Sequence, residues 1–233
     1  MAGCSPTLEE LNRKVTECRI CERLTRYREL VPARKSFAGS AYWRKPVPSF
    51  GDPDAWLMIV GLAPAAHGGN RTGRVFTGDE SGRFLVEALH ATGFANQPIS
   101  ISRDDGLVLT GCYIIAAVKC VPPDNKPATQ EFASCRGYLV NEMKLLTRAT
   151  HVLTLGKMAF RAYLDAARQT GLRFDKARFK HGASYKEGGT RLYGSYHPSP
   201  RNTYTGKLTR EMFIGLLDRI KKDRKQMVRR VSR

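Results

Sequence analysis

The chain has 233 residues, 42% of them hydrophobic, with 39 Lys and Arg against 21 Asp and Glu and a formal net charge of +18. That is enough for a sizeable globular core; no apolar run approaches the roughly 20 residues of a membrane span, and Leu8-Glu9-Glu10-Leu11 is too charged for a secretory signal, so the chain reads as soluble and intracellular. The basic excess extends beyond the run Arg219–Arg233, which points to a polyanionic partner, nucleic acid first and an anionic membrane surface second.

From the N-terminus, apolar residues at Leu8, Leu11, Val15, Ile20, Leu24 and Tyr27 predict one helix over Thr7–Leu30, bearing Cys18 and Cys21. Pro32 to Pro53 has no periodicity and is expected to wrap irregularly over the core. Ala55–Val60 reads as a buried strand. It feeds Gly61 to Gly82, the stretch around which the chain is organised, where recurring glycines let the backbone turn sharply and approach a ligand. His67, Asn70, Arg71, Arg74, Phe76, Thr77 and Asp79 are its polar and aromatic groups, and a loop this long is seldom only a solvated connection. An amphipathic helix follows over Glu80–Ala91. Cys112–Val118 predicts a second strand, Thr129–Arg148 a helix, His151–Leu155 a third strand, Met158–Gly171 a helix and Arg191–Tyr196 a fourth strand. The last helix begins after Gly206, with Leu208, Met212, Leu216, Leu217 and Ile220 on one face, and ends in a basic helical tail over 220–233. Strands alternating with helices predict a three-layer αβα fold with a central, mainly parallel four-stranded sheet, in one domain spanning 1–233.

Cysteines stand at 4, 18, 21, 112, 120 and 135. Inside a cell, metal explains them better than disulfides. Cys18 and Cys21 form a C-x2-C pair, while Cys120 and Cys135 flank a proline-rich loop and the start of the next helix. Four such thiolates suit zinc or a [4Fe–4S] cluster, against the alternative of four unrelated buried cysteines. The wide second spacing and the lack of a well-placed His favour iron–sulfur. Cys4 and Cys112 read as spare thiols.

Three strands, ending near Val60, Val118 and Tyr196, deliver unusual loops to one sheet edge, where open α/β sheets bind ligands. Those loops hold Gly61-Leu62-Ala63-Pro64-Ala65, Asn70-Arg71-Thr72-Gly73-Arg74, Phe76-Thr77-Gly78-Asp79, Lys119-Cys120-Val121-Pro122-Pro123-Asp124-Asn125 and His197-Pro198-Ser199-Pro200-Arg201-Asn202. On these motifs the chain, from Cys18 to about Phe213, resembles the iron–sulfur branch of the uracil-DNA glycosylase superfamily, and within it family 5. The resemblance implies a monofunctional enzyme of base excision repair that hydrolyses the N-glycosidic bond of a uracil flipped from DNA. It further implies a monomer in the cytoplasm, associated with the nucleoid.

By the same resemblance, Phe76 is the platform for the base, His197 the donor to its carbonyl, Asp79 the acid near the sugar and Asn125 a second ligand to water. Cys18, Cys21, Cys120 and Cys135 match the ligands of a [4Fe–4S] cluster. Asp79 equally reads as the N-cap of the following helix, and the two roles can coexist. Two positions beside the base depart from the wider pattern. Ala63 stands where most branches place a polar residue that positions water, and Ala116 where the sister iron–sulfur family has an Asn that reads uracil. The second loss implies weaker rejection of other deaminated bases, hypoxanthine and xanthine among them. Arg71, Arg74, Lys126, Ser199, Arg201, Asn202 and Lys207 are the implied contacts to DNA, Arg201 and Asn202 filling the space of the extruded base. The rival reading is a non-catalytic binder of damaged or single-stranded DNA, which Ala63 keeps open. A phosphate-binding α/β enzyme is disfavoured, because no Gly-Lys-Ser/Thr closes the glycine loop.

Overall fold

The apolar runs become the inner strands of a sheet that is covered on both faces. In the computed structural model, which describes residues 7–231, the chain starts with α1 (Leu8–Glu17), α2 (Glu22–Leu30), β1 (Phe50–Gly51) and β2 (Leu57–Gly61). Next come α3 (Gly69–Thr72), α4 (Glu80–Ala91), β3 (Cys112–Ala116), α5 (Thr129–Leu145), β4 (His151–Leu155) and α6 (Lys157–Gln169). The chain closes with β5 (Ser184–Glu187), β6 (Thr190–Ser195), α7 (Pro200–Tyr204) and α8 (Arg210–Val231). Cys4 lies outside the described residues.

The strand order is β1-β3-β2-β4-β6-β5, and the four inner strands are all parallel. Side chains alternate between faces with the period of two that a strand imposes. Leu57 and Ile59 join Ile114, Leu153 and Tyr193 beneath α4 and α8, while Met58 and Val60 join Tyr113, Ile115 and Val152 beneath α5 and α6. Both faces are buried, which is why these strands read as unbroken apolar runs.

Among the described residues the sheet has six strands where the sequence predicts four. The additions, β1 and β5, are antiparallel edge strands. One is two residues long, and the other, Ser184-Tyr185-Lys186-Glu187, is partly exposed throughout, so neither produces an apolar run. The single N-terminal helix is also corrected to two. Cys18 leaves α1 with ψ 132° and Cys21 restarts the chain as the N-cap of α2. The break lets Leu11 and Val15 bury on α1 while Leu24 buries beside Val118, Cys120 and Cys135; Ile20, in the break, is exposed. At the other end, a short α7 precedes α8, and Phe213 rather than Met212 faces the core.

In this topology β2 connects outward to β3 on one side while β4 lies on its other side, a switch point at which the loops leaving the strand ends part and open a crevice.

Candidate active site

That crevice is a cleft of about 680 Å³. Its walls come from the loop after β2 (Ala63, His67, Gly68, Phe76, Asp79), the end of β3 (Ala116), the loop after it (Asn125) and the loop after β6 (His197, Ser199). Segments more than 100 positions apart in sequence therefore meet at one place.

Asp79 is the N-cap of α4, its Oδ1 accepting the Gly82 amide at 2.8 Å. Oδ2 lies over Gly68, where a Cβ would collide with it; only glycine leaves room for the carboxylate. Burial raises the Asp79 pKa above its usual value, opposed by the Gly82 and Ser81 amides and by the charge of Arg71. Phe76 has φ 48°, and its ring edge fills the space a Cβ on Gly61 would need. Across the cleft stands His197, its ring centroid 6.1 Å from that of Phe76 with 32° between the planes. Burial alone lowers the His197 pKa to about 4, so the imidazole is neutral at physiological pH and offers an N–H rather than a charge. Asn202 donates to the His197 carbonyl at 2.9 Å and fixes the start of its loop. Asp124 and Asn125 take φ 53° and 56°. Phe76 and Asn125 thus line the cleft in left-handed conformations, where packing sustains backbone strain of order 1 kcal/mol or more each.

The expected DNA contacts divide. Lys126, Arg201 and Lys207 are exposed, and Ser199 lines the cleft. Arg74 is corrected: it is buried, paired bidentately with Asp105 at 2.7 and 2.8 Å and bonded to Thr77, Ser100 and the Arg103 carbonyl. Its charge is neutralised inside the fold and is not offered to a phosphate. Arg71 is half-buried, stacked 3.9 Å over Phe37 and donating to the carbonyls of His67 and Gly78. It braces the loop, though its field still reaches Asp79. Arg34, Phe37 and His67 line the cleft without any forecast role. Arg34 and Phe37 come from the aperiodic stretch before β1, where no pattern distinguishes a wall residue from a linker; His67 is visible in the glycine loop, but its partner Tyr42 is not.

Behind the cleft lie the cysteines. Cys18, Cys21, Cys112, Cys120 and Cys135 are free thiols. Cys120 and Cys135 are buried against Leu24 with Cys21 packed on them, and charge on Cys18 or Cys21 would raise the Cys120 pKa. Burial pushes Cys120 to about 11 and Cys135 to about 12. Among the described residues, no three of His, Cys, Asp and Glu converge tightly enough to hold a single metal ion. Arg28, itself buried, donates to Cys120 Sγ at 3.1 Å and to the Cys18 carbonyl at 3.2 Å, tying α2 to both cysteine segments. Arg23 reaches Glu131 and the Lys126 carbonyl, so the same helix braces the loop that carries Asn125.

The family model described as the uracil DNA glycosylase superfamily matches residues 48–221. A type-5 uracil-DNA glycosylase of Thermus thermophilus is 47% identical over 90% of this chain and 94% of its own length. One from Pyrobaculum aerophilum is 44% identical over 92% of both chains, and one from Mycobacterium leprae 42% identical over 97% and 98%. A type-4 uracil-DNA glycosylase of Pyrobaculum aerophilum is 31% identical over only 53% of this chain, which separates the two types. Matches of this breadth place the chain in the type-5 family of the uracil DNA glycosylase superfamily.

Proposed function

We propose that this protein hydrolyses the N-glycosidic bond of uracil, and of hypoxanthine and xanthine, in nucleotides extruded from DNA during base excision repair. The observation that carries the reading is the meeting of Asp79, Asn125, Phe76 and His197 on one cleft. The extruded base stacks on Phe76. As the bond breaks, the electron pair leaves with the base and positive charge develops on the sugar. The neutral His197 N–H bonds the base oxygen on which negative charge builds, a contribution of roughly 3 kcal/mol for a donor of this kind. Asp79, held by its cap bonds, stabilises the cationic sugar and, with Asn125, orients water toward the anomeric carbon; the proton lost from water leaves through the carboxylate. The Ala63 side chain cannot share that work.

Breadth toward other deaminated bases rests on Ala116. A methyl group at the end of β3 presents no donor or acceptor to be left unpaired by the wrong base, so it does not penalise one. Lys126, Arg201 and Lys207 supply sequence-independent attraction to the phosphate backbone.

Cys18, Cys21, Cys120 and Cys135 would hold a [4Fe–4S] cluster. An all-thiol donor set, free of disulfides and accompanied by an Arg28 N–H on sulfur, suits such a group. When bound, the cluster supplies a cross-link between α1–α2 and the loop bearing Asn125; the hydrolytic steps remain with the protein side chains.

The test is a gel assay on a uracil-containing duplex with and without alkali. Strand breakage only after alkali is the expected result for a monofunctional glycosylase. An intact strand after alkali would refute the reading.

A further inference from the structure

His67 takes no part in the chemistry above, yet it lines the cleft. Its Nδ1 is 3.0 Å from the hydroxyl of Tyr42, a buried residue packed with Val31 and Val121 and met edge-on by the imidazole. That hydroxyl already accepts the Arg34 amide at 3.3 Å. A buried phenol must place its own proton on an acceptor, and among the described residues the one in reach is His67 Nδ1. The network thus assigns the tautomer: Nδ1 accepts, and Nε2 carries a proton. The imidazole is held by a packed pedestal, with a fixed donor on the opposite side of the ring.

The surroundings say what that donor meets. His67 directly precedes Gly68, on whose backbone the Asp79 carboxylate rests, so it stands beside the sugar-facing acid, whereas Phe76 and His197 form the aromatic pair around the base. The Arg34 side chain lines the same wall, and Arg71 is bonded to the His67 carbonyl. Burial, then the fields of Arg34 and Arg71, keep the imidazole pKa below its ordinary value; the same fields favour an anion. We infer that His67 Nε2–H and the Arg34 guanidinium grip a backbone phosphate next to the extruded nucleotide, fixing its sugar over Asp79. The inference rests on the glycosylase reading and adds to it a phosphate-positioning pair seated on Tyr42.

The experiment compares wild type, His67→Ala and His67→Gln on uracil duplexes whose 5′ or 3′ flanking phosphate is either native or replaced by a neutral methylphosphonate. On native DNA, His67→Ala should lower kcat/KM about 10- to 100-fold, as expected for a lost bond to a charged group, and His67→Gln, which keeps an N–H, should recover most of it. At one of the two positions the methylphosphonate should cost wild type a similar factor and cost His67→Ala nothing more. Arg34→Ala should reduce the salt dependence of binding by about one phosphate contact. Losses that multiply at both positions, or a fully active His67→Ala, would overturn the phosphate assignment. A change confined to base preference would move His67 to the base instead and would equally defeat it. If His67→Ala melts early, Tyr42→Phe serves in its place: it frees the tautomer and should give the same position-specific loss to a smaller extent, whereas an unchanged profile rules the pedestal out. Failure of wild type on native DNA would instead strike the glycosylase reading, so the two failures are distinguishable.

Discussion

Asp79 caps α4, and under the proposed mechanism it also serves the sugar; a single substitution can separate the two tasks. Asn caps a helix about as well as Asp, so Asp79→Asn should keep the melting temperature while excision falls at least about 100-fold. Asp79→Ala should lose the same activity and about 1 kcal/mol of stability besides; denaturant melts beside single-turnover assays decide. The titrations carry definite signs. Burial holds Asp79 above its usual value, so the rate should fall on the acid side at a pH higher than an ordinary carboxylate would dictate. His197, at about 4 against 6.5 when unfolded, binds its proton more readily in the unfolded chain. Its contribution to stability is therefore intact above pH 6.5 and is lost as pH falls toward 4, and it adds no alkaline limb to the rate profile. Motifs foretell which residues meet on the cleft better than they foretell what each side chain binds. Asp79, Asn125 and His197 can be singled out from their motifs, but nothing local marks Arg74 as bound for Asp105, 31 positions later. Arg74→Ala should leave that carboxylate uncompensated and cost about 3 kcal/mol of stability, with little change in the salt dependence of DNA binding; equilibrium unfolding and binding titrations read the two separately.

Among the elements, the loop after β2 is the one that tolerates least. At Gly68 (φ −98°, ψ −108°) the Asp79 carboxylate occupies the space a Cβ would need. Gly68→Ala should displace the Asp79 carboxylate and lower turnover toward that of Asp79→Asn, with KM far less affected; kinetics that match wild type would show that the loop can yield. The inner strands and α4 are legible because burial on both faces, or on one helical stripe, leaves a periodic trace. The N-terminal helices are legible only in part. Their apolar spacing continues across Cys18–Cys21, while the break depends on Arg28 of α2 reaching the Cys18 carbonyl and on Cys120 and Cys135 from elsewhere in the fold. Serine at both Cys18 and Cys21 should abolish the broad blue absorption of an iron–sulfur protein, lower the melting temperature and reduce excision through the Asn125 loop. A colourless but fully active double variant would remove the cluster from the account.

The distribution of charge over the whole molecule differs from what the net +18 suggests. α8 runs beside α4 from Phe84, near the cleft, to Thr92 at the far end, where Lys221 bonds the Thr92 carbonyl. Arg224 then stacks 4.4 Å from the Trp56 ring, just before β2, and Asp223 binds Arg191 and the Tyr193 hydroxyl. The basic tail is therefore docked at the edge where the strands begin, about 16 Å of strand length from the edge where they end. Lys222, Lys225 and Arg229 are exposed there. Reversing all three to Glu should weaken non-specific DNA binding and flatten its salt dependence, yet leave single-turnover cleavage of a short uracil duplex within about twofold of wild type. Length and composition foretell the basicity but not this placement, since only the packing of α8 decides which end the charges occupy. One practical consequence follows for anyone who immobilises the protein: a tether joined to the far end of α8 leaves the substrate entrance facing outward, so molecules fixed to a bead or a sensor chip by that end should still process DNA supplied from solution.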